Sequence, residues 1–273
     1  MNPYHKLPPT QLLHGRFDFL IEVSRGKRVL HLGCVDTGLL EERFRRGELL
    51  HQKLDAVATE LWGMDINQTG IEFLQKAGFD RLFACDVEQI DQIDALRQQR
   101  FDVILASEIV EHLLNPGLFF TSIAKLMTPE HTRLIVTVPD AFRVSTLMWL
   151  TRGVEYVHPD HNFWFSYVTL NNLLQKTGYT TEAFYTYSSV GRSLLPRRFR
   201  RQPDQLAYSQ QATPVAKEAD LPLSDPPSTL SFPAKVFTYF SNLPKVTFIN
   251  LMLRFSPYFG DGLIAVAKRS HAL

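Results

Sequence analysis

The chain has 273 residues, of which 45% are hydrophobic and 21% charged, and its formal net charge is +1. This length accommodates a sizeable core, and the balanced charge gives no support to a nucleic-acid partner, so none is expected. The two cysteines, Cys34 and Cys85, are too few for the disulfide framework of a small secreted domain. We find neither a secretory leader nor a run of about 18 apolar residues that could span a membrane, which predicts a cytoplasmic protein.

Short apolar runs alternate with helical patterns in the first half of the chain. The predicted strands cover residues 28–32, 61–66, 81–87, 101–106 and 133–138. The predicted helices cover residues 39–46, 54–59, 71–77 and 116–127. Strands that are apolar along nearly their whole length and separated by helices are typical of a parallel sheet covered on both faces. The pattern therefore predicts a doubly wound α/β fold.

The second half of the chain continues this pattern and then departs from it. Helices are predicted at 142–150 and 167–176, a loop at 158–166, and strands at 183–187 and 262–268. Residues 202–231 are rich in Pro, Gln, Ser, Ala and Asp, which predicts a mobile segment. We therefore divide the chain into four parts: an N-terminal helical extension (1–27), a core (28–189), an insertion (190–257) and a final strand of the core (258–273).

The carboxyl ends of the first three predicted strands carry residues suited to a nucleotide-like ligand. Gly33 ends the first strand and allows close approach of a ligand to the backbone. Asp65 ends the second strand and can accept hydrogen bonds from a ribose diol. Asp86 and Val87 end the third, where a carboxylate and a backbone N–H suit adenine. Each also fits an ordinary turn or helix cap, but the three in this order indicate an adenosine ligand.

Four segments, 29–34, 61–65, 85–88 and 101–113, resemble the class I S-adenosylmethionine-dependent methyltransferases. The last segment is similar to that of small-molecule methyltransferases, including the ubiquinone-biosynthesis type. The resemblance implies a Rossmann-like seven-stranded sheet whose last strand is antiparallel, with the insertion of this chain between strands six and seven. It also implies S-adenosylmethionine as the cofactor and methyltransferase activity.

The resemblance implies a role for each residue of the cofactor site. The loop at Gly33 holds the methionine part of the cofactor, and Ser107 lies near it. Asp65 binds the ribose, and Asp86 and Val87 flank the adenine. The complete predicted cofactor site consists of Gly33, Cys34, Asp65, Ile66, Asp86, Val87 and Ser107.

Two residues depart from the family pattern. His31 stands where the family usually has Asp or Glu, and Val35 stands where it usually has Gly. The missing acid normally helps to organise the amino-acid end of the cofactor. Segment 31–36 is nevertheless similar to a variant in bacterial methyltransferases of polysaccharide gene clusters, which favours a glycan-type acceptor.

Glu108 and His112 form the first candidate catalytic pair. They are four residues apart, so on a helix they would share one face, and either could remove a proton from an acceptor hydroxyl. The alternative, which we favour from the sequence, is that both residues brace the turn after the fourth strand.

The loop at 158–166 is the second candidate, because it follows the fifth strand on the expected acceptor side. His158 or His161 could act as the base, with the neighbouring aromatic residues stacking on the acceptor. A metal held by both histidines and Asp160 is a further alternative, but this ligand set is incomplete and we predict no metal. The simplest alternative is an aromatic loop packed on the sheet edge, with Ser166 capping the next helix.

The last part of the insertion, residues 232–255, is aromatic and apolar. One helical face carries Val246, Ile249 and Leu253, and another carries Phe248, Leu251, Met252 and Phe255. A helix that is apolar on two faces needs a second partner, which could be another subunit, an apolar acceptor or a membrane surface. Four arginines suit anionic lipid or a phosphorylated acceptor: Arg197, Arg198, Arg200 and Arg201. The alternative is a lid over the active site.

Together these observations predict an S-adenosylmethionine-dependent methyltransferase that acts on a small-molecule, glycan or lipid-linked acceptor, by O-methylation through in-line displacement. The alternative is a catalytically inactive S-adenosylmethionine-binding scaffold or regulator, which the departures at His31 and Val35 favour. A dehydrogenase is disfavoured by segment 108–112 and by the antiparallel type of the final strand. The oligomeric state is left open.

Overall fold

Eight strands form one mixed sheet in the computed structural model, which describes residues 4–189 and 245–270. The strands are β1 (Gln11–Leu13), β2 (Arg28–Leu32), β3 (Glu60–Asp65), β4 (Leu82–Ala84), β5 (Val103–Ser107), β6 (Arg133–Pro139), β7 (Tyr179–Tyr187) and β8 (Gly262–Arg269). Their order across the sheet is β1-β7-β8-β6-β5-β2-β3-β4. Strand β8 runs antiparallel to β6 and β7, and the other neighbours are parallel. The predicted Rossmann-like fold with an antiparallel last strand is therefore confirmed.

Helices cover both faces of the sheet. In the described residues they are α1 (Phe17–Ser24), α2 (Leu40–Arg45), α3 (Leu50–Asp55), α4 (Gln68–Lys76), α5 (Asp94–Arg97), α6 (Pro116–Ala124), α7 (Val144–Leu150), α8 (Tyr167–Lys176) and α9 (Lys245–Phe255). Short 3-10 turns lie at Val87–Gln92, Val110–His112 and Pro257–Phe259.

Alternate side chains of the central strands enter two separate cores. On β5, Ile104 and Ala106 pack with α6 and α8, whereas Val103 and Leu105 pack with α1 and α3. Full burial of one such aliphatic or aromatic side chain contributes about 1.5–3 kcal/mol, so these layers hold the strand ends in fixed positions. The carboxyl ends of the parallel strands therefore form a rigid edge for a binding site.

The sheet differs from the predicted one at its first edge, where it gains an eighth strand. Residues 1–27 were expected to be helical, but β1 pairs in parallel with β7, and only α1 is helical. The Thr10 hydroxyl donates to Phe184 O at 2.7 Å, and Ser188 N donates to Leu13 O at 3.0 Å. A strand of three residues carries no readable periodicity, so only its hydrogen bonds to β7 define it.

Other element boundaries also differ from the predicted ones, and β7 begins at Tyr179 instead of residue 183. The strand expected at 81–87 ends at Ala84, because the Asp86 side chain caps the following 3-10 turn. The helix expected at 54–59 lies at Leu50–Asp55 instead. The chain then turns, and β3 begins at Glu60.

Only the end of the predicted insertion lies among the described residues. Helix α9 packs on α7 through Phe248 and Ile249, which meet Val144 and Met148. The two predicted faces of α9 are therefore not separate, because one residue from each is buried in the same contact. Residues 190–244, including the four arginines and the segment 202–231, lie outside the described part of the chain. No helix within 4–189 or 245–270 is long and apolar enough to cross a bilayer.

Candidate cofactor and acceptor site

The loop after β2 is built around Gly33. Its backbone has a φ of +69°, and its N–H donates to Met64 O at 2.8 Å. A Cβ atom at this position would lie 2.3 Å from Ile109 Cγ2. Both the left-handed backbone and the contact with the segment after β5 therefore require glycine here.

Val35, the first departure from the family pattern, packs away from the ligand side of the loop. Its side chain is buried against Gly70 of α4, where a Cβ would lie 2.3 Å from Val35 Cγ1. Its backbone N–H donates to Asp65 Oδ2 at 2.9 Å. The absence of a side chain at Gly70 thus accommodates the extra side chain at Val35.

This packing predicts that Gly70→Ala destabilises the protein. Within a helix, alanine is more favourable than glycine by about 1 kcal/mol. The contact of the new Cβ with Val35 overpacks the core, which typically costs about 1–3 kcal/mol. In a Val35→Gly background the same substitution will instead stabilise, because the space beside α4 is empty. Urea unfolding of the wild type, both single variants and the double variant measures the difference. An equal effect of Gly70→Ala in both backgrounds would contradict the proposed compensation.

His31, the second departure, belongs to a buried pair of imidazoles. Its Nδ1 lies 3.2 Å from Nδ1 of His51 on α3, so one ring donates and the other accepts. Burial and then the neighbouring His51 hold the pKa of His31 well below its usual value. Burial lowers the pKa of His51 to about 4. A neutral, hydrogen-bonded pair thus replaces the acid that is usual in the family.

Asp65 ends β3 as predicted and connects two loops of the site. Oδ2 accepts from Val35 N and Oδ1 accepts from Asn67 N, each at 2.9 Å. The carboxyl group is buried, and this desolvation raises its pKa although the backbone donors oppose the shift. Each oxygen keeps further acceptor capacity, so the carboxylate can still receive a ribose hydroxyl.

The other residues that were predicted to contact adenosine follow β4, which is the third of the predicted strands. Asp86 Oδ1 accepts from Glu88 N at 2.9 Å, and Val87 begins the 3-10 turn that Asp86 caps. Ile66, the residue after β3, is 76% exposed beside them. These residues lie in sequence order along one edge of the sheet, as the adenosine prediction requires. Each also makes the turn or cap contact that was its simpler explanation.

Both cysteines near this edge are poor nucleophiles. Burial and then Asp65 raise the pKa of the Cys34 thiol. Burial also raises the pKa of the Cys85 thiol, and the charge of Asp86 adds to the shift. Because the thiolate is the reactive form, we assign both side chains to packing.

A small open cavity lies beside the β2 loop. Its lining includes Gly33, Cys34 and Ser107 together with Arg16 from the N-terminal extension. The structure thus brings together the three residues that were predicted to hold the methionine part. The Arg16 Nε atom is buried, and no described residue accepts a hydrogen bond from it. A guanidinium with a free donor fits a carboxylate such as that of methionine.

Glu108 belongs to a polar network at the back of this cavity. Its φ is +55°, and its Oε1 accepts from Thr137 Oγ1 at 2.9 Å and from Tyr187 OH at 3.0 Å. Arg16 NH1 lies 3.9 Å from Glu108 Oε2. Glu111 is buried next to this network, and burial and then the charge of Glu108 raise its pKa well above the usual value. Among the described residues, neither carboxylate oxygen of Glu111 has a hydrogen-bond partner.

The helix on which Glu108 and His112 would share one face does not form in this segment. The left-handed backbone at Glu108 and the 3-10 turn at Val110–His112 replace the assumed helix, so the two side chains diverge. Glu108 connects the end of β5 to β6 and β7 through Thr137 and Tyr187, which agrees with the bracing alternative that the sequence favoured. His112 instead meets the other candidate loop.

His112, His158 and His161 form one group, which we call the histidine cluster. The ring centroids are 4.6 Å apart for His112 and His161, 5.2 Å for His158 and His161, and 5.9 Å for His112 and His158. Burial and then the two neighbouring rings lower the pKa of His161 to about 4, so its imidazole is neutral. Ser166 caps α8 with a capping box, as predicted. The two candidate catalytic regions are therefore one site.

Sequence analysis missed three polar residues near this edge. Arg16 precedes the predicted core, and Tyr187 ends a predicted strand for which no site residue was proposed. Asp140 follows β6, and burial raises its pKa to about 7. A carboxylate directly after a predicted strand was a usable signal for Asp140, whereas nothing in the sequence indicated that Arg16 reaches the cavity.

S-adenosylmethionine fits these residues. The glycine loop leaves the backbone accessible, the buried Arg16 Nε needs an acceptor, and Asp65 has unused acceptor capacity. His31 and Val35 had favoured an inactive scaffold, but both fit the structure. His51 forms a hydrogen bond with His31, and the absence of a side chain at Gly70 leaves space for Val35.

Comparison with known proteins agrees with this geometry. A family model described as a methyltransferase domain matches residues 10–183. The chain is 24% identical over 212 residues to the ubiquinone biosynthesis O-methyltransferase of Bartonella quintana, covering 70% of this chain and 80% of that protein. It is 27% identical over 184 residues to the ubiquinone biosynthesis O-methyltransferase of Bradyrhizobium diazoefficiens, covering 59% of this chain and 68% of that protein.

A solved structure shows the same fold. The small RNA methyltransferase HEN1 superposes with a TM-score of 0.52 and 15% identity, covering 100% of this chain and 28% of that one. The family match spans more than half of the chain and includes β1 to β6. The protein is therefore a member of the class I S-adenosylmethionine-dependent methyltransferases.

Proposed function

We propose that this S-adenosylmethionine-dependent methyltransferase methylates a hydroxyl oxygen of a small or lipid-linked acceptor that has an apolar part. The proposal goes beyond the family in naming the acceptor atom and the acceptor class. The relatives named above are O-methyltransferases of ubiquinone biosynthesis, which supports oxygen as the acceptor atom.

An exposed aromatic surface beyond β6 is the observation that carries the acceptor class. It consists of Phe142, Trp149, Leu150, Tyr156 and Phe163, each between 37% and 55% exposed. The rings of Trp149 and Tyr156 stack with centroids 6.1 Å apart. An apolar surface of this kind on a soluble domain is typical of a site that binds an apolar ligand or partner.

Two arginines border the aromatic surface. The Arg143 guanidinium lies 5.7 Å from the ring centroid of Tyr156, and the Arg152 guanidinium lies 5.7 Å from that of Trp149. These cations suit an acceptor that combines an apolar part with an anionic group, such as a phosphate. A lipid-linked glycan has both features, so the glycan-type acceptor remains within the proposed class.

We assign the cofactor to the edge formed by β2, β3, β4 and β5. Arg16 and the Gly33 loop bind its methionine part, Asp65 binds the ribose, and Asp86 and Val87 flank the adenine. When bound, S-adenosylmethionine supplies a methyl group on a sulfonium ion that an acceptor oxygen can displace.

The remaining task of the protein is to position the acceptor and to remove the hydroxyl proton. We place proton removal at the histidine cluster, whose His112 lies in the turn after β5 and whose His161 is two residues before Phe163 of the aromatic surface. Alignment of the reacting atoms can supply a large part of the rate, and a positioned proton acceptor typically adds about 10²–10⁴-fold.

Helix α9 offers a second apolar element near the same surface. Phe255 is 76% exposed, while Phe248 and Ile249 of α9 are buried on α7. We propose that this end of α9 contacts the lipid part of the acceptor or the membrane that carries it. The predicted contact through 232–244 lies outside the described residues.

A methyl-transfer assay with paired acceptors tests the proposal. We expect label from S-adenosylmethionine to appear as a methyl ether on a phenol that carries an isoprenoid tail. The tailless phenol will have a KM higher by about 10-fold or more, since the tail gains roughly 1.4 kcal/mol or more on the aromatic surface.

Variants of the aromatic surface provide the control for this assay. Trp149→Ser should raise the KM of the tailed acceptor and leave that of the tailless one unchanged. Leu118→Ser, at an exposed residue of α6, should change neither. Methylation of an amine alone, or equal KM values for the two phenols in the wild type, would contradict the proposed acceptor.

A further inference from the structure

The histidine cluster has the composition of a metal site. Each of its three imidazoles offers one nitrogen, and these three nitrogens lie within 4.8 Å of one another. His112 comes from the turn after β5, and His158 and His161 come from the loop between α7 and α8. Because the ligands come from two separate segments, sequence spacing alone could not reveal the set.

Hydrogen bonds of the backbone hold the two segments together. Asn162 N donates to Glu111 O at 2.8 Å, and Asn162 Nδ2 donates to His112 O at 2.8 Å. His161 N donates to His158 O at 3.0 Å, which closes a tight turn and places both imidazoles on the same side. The three rings are thus brought together by the chain itself, which lowers the entropy cost of binding an ion.

A further contact orients His112 as a ligand. Its Nδ1 lies 3.2 Å from the backbone oxygen of Asp160, which can only accept a hydrogen bond. The proton of the neutral ring therefore belongs on Nδ1, and Nε2 keeps a free lone pair. A carbonyl that accepts from the second nitrogen is the usual support of a metal-binding histidine. His158 Nδ1 accepts from Asp160 N at 3.3 Å and lies 3.9 Å from the Asp160 carboxylate, so Asp160 contacts both rings.

We propose that His112, His158 and His161 bind one Zn²⁺ ion, as three imidazole ligands with an open fourth position. Three neutral nitrogen ligands suit zinc and the neighbouring transition metals, whereas Mg²⁺ and Ca²⁺ require oxygen ligands. Zn–N distances of about 2.0–2.1 Å bring tetrahedral ligands to roughly 3.3 Å from one another. Closure of the His158–His161 turn by somewhat more than an ångström achieves this.

The open position gives the ion a role at the acceptor, and this part rests on the proposed function. A hydroxyl oxygen that occupies the fourth position loses its proton more readily, because zinc stabilises the resulting anion. Ionisation of the zinc-bound hydroxyl then replaces proton transfer to a free imidazole, because the three imidazoles are ligands of the ion. The acceptor proton passes to solvent, and the oxygen lone pair forms the new C–O bond as the S–C bond of the sulfonium breaks and S-adenosylhomocysteine leaves.

Cobalt spectroscopy on the full-length, tag-free protein tests the metal site directly. Protein freed of metal with EDTA is titrated with Co²⁺ and then with Zn²⁺. Co²⁺ absorbs visible light strongly when its site is tetrahedral. We expect one equivalent of Co²⁺ to give intense visible bands that Zn²⁺ abolishes by displacement. His158→Gln and His161→Gln should each weaken Co²⁺ binding by more than the roughly 10–100-fold typical of an outer-shell partner.

Two further variants make the test specific. Asp160→Asn removes a carboxylate that lies 3.9 Å from His158 Nδ1 and keeps the backbone contacts, so it should weaken Co²⁺ binding far less than the loss of a histidine ligand. His14→Gln, at an exposed histidine far along the chain from the cluster, should bind Co²⁺ like the wild type. His158 is more than half exposed, so its substitution should leave the thermal unfolding curve unchanged.

The outcomes separate the metal site from the proposed function. Absence of saturable visible bands in the wild type, or full retention of the bands in His158→Gln, overturns the metal site. Titration of the same samples with S-adenosylhomocysteine shows whether the cofactor site is intact. Cofactor binding without cobalt bands refutes the zinc proposal and leaves the methyltransferase assignment untouched.

Discussion

Replacing Gly33 by alanine is expected to destabilise the fold and to abolish cofactor binding. The left-handed backbone alone costs a non-glycine residue about 1–2 kcal/mol. The new Cβ would also lie 2.3 Å from Ile109 Cγ2, and overpacking of this kind adds about 1–3 kcal/mol. Since the loop and the segment after β5 both border the cavity, any shift that relieves the contact displaces the cofactor residues.

Two further variants separate the backbone cost from the steric cost. Gly26 also has a positive φ, +65°, but a Cβ there meets nothing within 4 Å. Gly26→Ala should therefore show the backbone cost only and bind the cofactor normally. In an Ile109→Ala background, Gly33→Ala should lose the steric part of its cost. Equal free energies of unfolding for Gly33→Ala and Gly26→Ala would show that the contact with Ile109 is unimportant.

Asp65→Ala is expected to have the largest effect on cofactor binding. Two hydrogen bonds from a ribose to a carboxylate contribute about 1.5–3 kcal/mol each, so their loss raises Kd by at least about 100-fold. The substitution also leaves Val35 N and Asn67 N without their acceptor, which loosens both loops of the site. Isothermal titration with S-adenosylhomocysteine measures the change in Kd.

The controls for Asp65→Ala address charge and stability. Asp80→Asn removes one negative charge at the opposite end of the neighbouring strand and should leave Kd unchanged. Asp65→Asn keeps one acceptor oxygen and should fall between the wild type and Asp65→Ala. If Asp65→Ala binds within about threefold of the wild type at a temperature where it is folded, Asp65 does not bind the ribose.

The sequence predicted the core of the fold because its strands are long, apolar and separated by helices. Strands β2, β3, β5, β6 and β8 lie within a few residues of their predicted positions. The errors occur where local patterns are short. Strand β1 has three residues and depends on pairing with β7, and β4 ends early because one side chain caps a turn.

The site was predictable only where a residue ends a predicted strand. Gly33 and Asp65 were found in this way, and the structure places both at the carboxyl edge of the sheet. The partners of the two unusual residues were not predictable, because His51 and Gly70 reach His31 and Val35 through tertiary packing. The histidine cluster shows the same limit, since a helical assumption paired His112 with Glu108, while His158 and His161 were assigned to a separate candidate.

The central claim is that the edge formed by β2 to β5 binds S-adenosylmethionine. Calorimetric titration of the wild-type protein with S-adenosylhomocysteine, with NAD as the control ligand, tests this claim. We predict one molecule of S-adenosylhomocysteine per chain with a micromolar Kd, and no heat from NAD. Absence of S-adenosylhomocysteine binding would contradict the account, because it would show that the neutral His31–His51 pair and Val35 have disabled the cofactor site.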